Sequence, residues 1–189
     1  MSAEKQRSLL LIHGRDFKPA ADVYLDVAVQ AMRAGLERDF PECTPCFDTM
    51  NVDLAWYGDL NARVLEGNGR SYDEDLDIGD RRNVLQKLSA ITPRKKFSIR
   101  AYDMLPGKSA LPEFFMDIGA TVSGAVRLRT PVIARLAKDF AAYLDDAEFA
   151  EEARRRMRDK LCAMIDRGDK IMLVTHGTGS VIAYDVLWE

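Results

Sequence analysis

Ile171-Met172-Leu173-Val174-Thr175-His176-Gly177-Thr178-Gly179-Ser180-Val181-Ile182-Ala183-Tyr184-Asp185 is the stretch on which the fold turns. Ile171 to Thr175 is an apolar run of strand length, the kind that a parallel sheet buries on both faces under helices. From Ser180 to Trp188 the chain reads as a helix. Gly177 and Gly179 fall between the two, so strand, tight turn and helix follow one another directly. Ser8 to Ile12 is a second apolar run, closed by His13-Gly14. Two strands ending at glycine-containing corners are therefore expected.

Outward from these corners, short apolar runs alternate with longer amphipathic stretches. That alternation predicts an α/β fold with a mostly parallel central sheet and helices on both faces. A helix is expected from about Pro19, since proline is pre-set for a first helical turn. Val23, Val27, Ala31 and Leu36 give it an apolar stripe, and Phe40-Pro41 ends it. Val52–Tyr57 reads as a strand broken at Gly58-Asp59. Asp80 is expected to cap a helix carrying Val84, Leu85 and Leu88, which Pro93 limits. Phe97–Ala101 reads as a short strand. Between Leu111 and Leu128, Phe114, Phe115, Ile118, Val122 and Val126 form a helical stripe. Thr130-Pro131 has the form of an N-cap and first helical residue, opening a helix to about Leu144. From Ala147 to Arg167, Phe149, Ala153, Met157, Leu161 and Ile165 repeat every four residues. Glu151–Arg155 and Glu152–Arg156 stand at favourable spacing there, and Gly168 closes the helix.

Composition excludes several classes without naming a function. A length of 189 residues suits a single domain. Hydrophobic residues at 47% and charged residues at 30% are ordinary for a globule with a sizeable core. Lys+Arg 27 against Asp+Glu 30 leaves a charge of -3, which argues against a nucleic-acid partner. No apolar run has the length of a membrane span, and the first apolar stretch is too short for a secretory signal. Three cysteines cannot all pair within the chain, so a reducing, cytoplasmic setting is expected.

The strand–turn–helix segment resembles the nucleophile elbow of the α/β-hydrolases, the lipase and esterase type in which GxSxG joins a strand to a helix. His176, Gly179, Ser180 and the helix start match that pattern. Thr175 replaces its first glycine, and Gly177 stands where the family carries its nucleophilic serine. Leu9-Leu10-Leu11-Ile12-His13-Gly14-Arg15 resembles the family's strand and HG turn. The resemblance implies an oxyanion hole built from the backbone N–H groups of Arg15 and Thr178, with His13 and Gly14 shaping the turn. It implies that the Ser8–Ile12 strand lies between Val52–Tyr57 and Ile171–Thr175. It also implies a helical insertion around residues 107–145, where hydrolases carry lid helices; plain core packing of those helices is the simpler expectation. The parent activity would be hydrolysis of a carboxylic ester or similar acyl bond through an acyl-serine, on a small-molecule substrate and without a cofactor. Without a hydroxyl at residue 177, this chain is expected to be nearly inert.

The family's acid and histidine follow its nucleophile, yet no histidine follows Gly177. Residues 1–189 are therefore expected to be the N-terminal portion of a longer fold. A final Ile171–Val174 strand would then expose an edge suited to self-association. The competing expectations are a non-catalytic binding module on the same fold, and a dinucleotide-binding domain using Gly177-Thr178-Gly179. The second lacks the acid that its fingerprint wants roughly 20 residues on. Cys43-Thr44-Pro45-Cys46 follows a helix rather than a strand and is expected to be two reduced thiols in a loop. It lacks the second ligand pair of a zinc site. Asp73, Asp75, Asp77 and Gly79 are off-register for a calcium loop and read as a solvated acidic loop feeding a helix. Arg154, Arg155, Arg156 and Arg158, flanked by Glu151, Glu152 and Asp159, read as a salt-bridged outer helix face.

Overall fold

The computed structural model describes residues 5–89 and 138–189. Three parallel strands form its sheet: β1 (Arg7–Ile12), β2 (Asn51–Ala55) and β3 (Lys170–Thr175), in the order β2-β1-β3. The central position expected for the Ser8–Ile12 run is the observed one. The register pairs Leu11 with Leu54 on one side and with Val174 on the other. Every side chain of β1 from Ser8 to Ile12 is buried, as a central strand of a covered parallel sheet must be.

Helices cover the two faces unequally. On one face, α1 (Ala21–Asp39) and the short α2 (Thr44–Asp48) pack Tyr24, Leu25, Met32 and Phe47 over Leu9, Leu11 and Leu54. On the other, α3 (Gly58–Gly67), α5 (Lys138–Asp145), α6 (Ala147–Asp166) and α7 (Thr178–Trp188) enclose Leu10, Ile12 and Ala55 with Phe149, Met157, Met164 and Ile182. α4 (Glu74–Ser89) packs against α1. Helix α6 follows its four-residue repeat closely. The Asp146 side chain caps it, accepting from Glu148 N at 2.9 Å and Phe149 N at 3.1 Å. Gly168, at φ +75°, ends it.

Several expectations change. The strand β3 is covered on one face only: Ile171 and Leu173 join the α6–α7 core, whereas Met172 is 55% and Val174 38% exposed. Among the described residues β3 pairs with β1 alone, and the cluster that α1 forms on the second face takes in residues of β1 and β2. Gly58-Asp59 begins a helix instead of a loop; α3 buries Leu60 and Leu65, and Asp59 holds Arg156. The acidic run is no loop either. α4 starts at Glu74, so Asp75 and Asp77 occupy its first turn and Asp80 is interior, not a cap. Carboxylates in a first helical turn are favoured by the helix dipole. The pair Cys43/Cys46 lies on a 3₁₀ turn (Pro41–Cys43) that runs into α2.

The arginine-rich face is ion-paired; the expected Glu152–Arg156 pair forms at 2.8 Å, whereas Glu151 pairs with other arginines than the expected Arg155. Glu151 takes Arg154 and Arg158, while Arg155 takes Glu152 and Asp159. Arg156 also crosses to Asp59 on α3, so this face is partly an inter-helix joint. The expected strand at Phe97–Ala101, the helix from Leu111 to Leu128 and the opening at Thr130-Pro131 lie outside the described residues. So does the insertion around 107–145, except for its last part in α5. No described helix is long and apolar enough to cross a membrane.

Candidate active-site corner

Parallel pairing of β1 with β3 sets both corners at the carboxyl edge of the sheet, where α/β folds bind ligands. His176 N donates to Ile12 O at 3.2 Å, which carries the ladder one residue past the strands. The chain then bends at Gly177, with φ +55° and ψ −128°. That left-handed combination suits glycine and strains any residue with a Cβ by about 1–3 kcal/mol. Gly179 N donates to His176 O and Ser180 N to Gly177 O, closing the first turn of α7. The hydroxyls of Thr175 and Ser180, 2.8 Å apart, brace it from the side.

The two corners touch through their smallest residues. A Cβ on Gly14 would lie 2.8 Å from His176 Nδ1 and 3.0 Å from its carbonyl O. A Cβ on Gly179 would collide with His13 O and lie 3.0 Å from Ile12 O. Glycine at 179 is thus required by the approach of α7 to the end of β1. Residue 177 differs: a Cβ there would meet only Gly14 Cα, at an ordinary 3.6 Å. The bend therefore has room for a side chain, although its φ disfavours one.

His13 and His176 have opposite surroundings. The ring of His13 is 1% exposed, stacked on Tyr57 with centroids 4.0 Å apart. Tyr57 N donates to its Nε2 at 2.9 Å, which puts the proton on Nδ1, within 2.8 Å of Gly14 O. Burial pushes its pKa down to about 4, so the ring is neutral at pH 7 with both nitrogens used. His13 is bonded within its own turn and has no free nitrogen for proton transfer. His176 is solvent-exposed beside Gly177.

The loop after β1 is held by residues that the sequence did not single out. Tyr57 OH donates to His13 O at 2.6 Å, and Asn61 Nδ2 donates to Gly14 O and Asp16 O at 3.4 and 3.2 Å. Asp139, buried on α5, accepts from Asp16 N at 2.5 Å, where Asp16 itself has φ +75°. These bonds fix the path of the chain on both sides of Arg15. Among the described residues neither Arg15 N nor Thr178 N has a hydrogen-bond acceptor, although Thr178 is 6% exposed. As the first residue of α7, Thr178 carries an N–H with no intrahelical partner.

The corner thus brings together His13, Gly14, His176, Gly177 and Gly179, with Arg15 next to Gly14 in the chain and Thr178 and Ser180 in the first turn of α7. It offers backbone donors and an open bend, but no nucleophile at residue 177. Among the described residues no cluster of His, Cys, Asp and Glu could hold a metal ion. Compared with known proteins, the chain matches no family model, no curated protein and no solved structure.

Proposed function

We propose that this chain is an α/β-hydrolase-type protein whose parent activity is hydrolysis of ester or acyl bonds, and that its corner receives an acyl carbonyl without cleaving it. The observation that carries this reading is the bend at Gly177. It has a positive φ between strand and helix, space for a side chain, and Gly14 of the neighbouring corner directly beside it. A substrate carbonyl oxygen would accept from Arg15 N and Thr178 N, the arrangement that stabilises a developing oxyanion. A serine at residue 177 would supply the attacking oxygen. Glycine supplies none, and in serine proteases loss of the nucleophile costs roughly 10⁶ in kcat. His13, buried and doubly bonded, is not the base, so acid and base would come from other parts of the polypeptide.

The test is Gly177→Ser in the full natural polypeptide. Uptake of a fluorophosphonate probe at the substituted position and turnover of p-nitrophenyl esters are expected, with neither in the parent protein. A folded variant that takes up no probe would favour a non-catalytic interaction module on this fold. NAD(P) or FAD retained on purification would instead favour the dinucleotide alternative.

A further inference from the structure

Cys43-Thr44-Pro45-Cys46 takes no part in the corner, and its surroundings differ from those of the third cysteine. The 3₁₀ turn Pro41–Cys43 continues without a break into α2, so Cys43 and Cys46 stand three residues apart on one helical stretch. Side chains at that spacing share a face, and in 3₁₀ geometry they eclipse. Both are exposed free thiols. Thr44 and Phe47 are buried, and Phe47 packs α2 on the sheet residues Leu9, Leu11 and Leu54. Arg7, the first residue of β1, donates from Nη1 to Cys46 Sγ at 2.8 Å. That hydrogen bond holds the Cys46 sulfur in place three residues from Cys43, and a thiolate sulfur held within reach of a second cysteine is the arrangement that disulfide exchange uses. The sulfur of Cys162, also exposed, has no hydrogen-bond partner among the described residues, and no other cysteine is near it in sequence.

We propose that Cys43 and Cys46 form a thiol–disulfide exchange site for a low-molecular-weight disulfide, with Cys46 as the attacking sulfur and Arg7 as the residue that holds that sulfur in position. The Cys46 thiolate attacks one sulfur of the small disulfide. That S–S bond breaks, one small thiolate leaves, and a mixed disulfide remains on Cys46. The Cys43 thiolate then attacks the Cys46 sulfur, forming the Cys43–Cys46 bond and expelling the second small thiolate. The protons lost by the two cysteines end on the two released thiols. The protein is oxidised by two electrons and the small disulfide is reduced by two.

Alkylation with iodoacetamide, read by peptide mass spectrometry on the intact chain, compares all three cysteines in one sample. Cys46 is expected to react at least about threefold faster than Cys162. Oxidised glutathione is expected to join Cys43 to Cys46, with a mass loss of two hydrogens that dithiothreitol reverses, while Cys162 forms no internal bond. Arg7→Gln should bring the rate at Cys46 down to that at Cys162, and Cys43→Ser should stop the reaction at a glutathione adduct on Cys46. Equal alkylation of all three cysteines in the unmodified protein overturns the proposal. So does glutathione adduct formation without the internal bond. Both decisive measurements use the unmodified chain, so a variant that fails to fold leaves the proposal open to refutation.

Discussion

The corner after β1 and the corner after β3 lie against each other at one edge of the sheet, yet they are built in opposite ways. The first is held from outside: His13, Gly14 and Asp16 are bonded by Tyr57 and Asn61 at the start of α3 and by Asp139 on α5, two other parts of the chain. The second is held from within, by Gly179 N to His176 O, Ser180 N to Gly177 O and the Thr175–Ser180 hydroxyl pair. The first presents a buried ring with no spare nitrogen, and the second an exposed ring and an open bend. A local bend can be written in a few consecutive residues, whereas a loop that must keep a non-glycine residue at positive φ needs partners from elsewhere. Fixed support on one side leaves the other side free to carry or lack chemistry.

Three measurements break or sharpen this contrast. The largest effect is expected for Gly179→Ala, where the added carbon meets the His13 carbonyl at the contact between the corners. Urea denaturation should show a loss upward of about 3 kcal/mol, because the obstacle is backbone and cannot turn aside. A loss below about 1 kcal/mol would mean that the corners separate readily.

Next is acid sensitivity in the first corner. Burial lowers the His13 pKa from 6.5 to about 4, so between those values the unfolded chain binds the proton that the native ring refuses. Stability is therefore at its full value above pH 6.5 and is lost as pH falls toward 4. His13 accounts for about 2 kcal/mol of that loss between pH 6.5 and 5. His13→Gln should flatten this part of the pH profile, and an unchanged slope would assign the acid loss to other groups.

The smallest effect is expected at Gly177→Ala. Space is available there and only the dihedral is unfavourable, so a loss of about 1 kcal/mol should appear in the same denaturation assay. A loss as large as that of Gly179→Ala would erase the distinction between a strained position and an obstructed one.

What could be read in the sequence divides along the same line. The parallel direction and helix α6 follow from apolar runs and periodicity, which are local signals, whereas the order β2-β1-β3 is implied only by the family resemblance. The bend at Gly177 follows from its neighbours. Helix α3 is hidden in the sequence because Gly58-Asp59 reads as a break, although Leu60, Val64 and Leu65 carry a helical spacing. The start of α4 was placed too late because Asp75 and Asp77 look like loop residues when they favour a first helical turn. The half-open β3 was not legible, since burial on the second face depends on where α1 settles. Nor were the bonds of Asn61 and Asp139 to the first loop, which span 45 and 123 residues of chain and leave no periodic trace.

The spare room at residue 177 also has a genetic meaning. Glycine codons GGU and GGC differ by one base from the serine codons AGU and AGC. From either of those codons one mutation separates a silent bend from one that carries a hydroxyl, and the space beside residue 177 is already present.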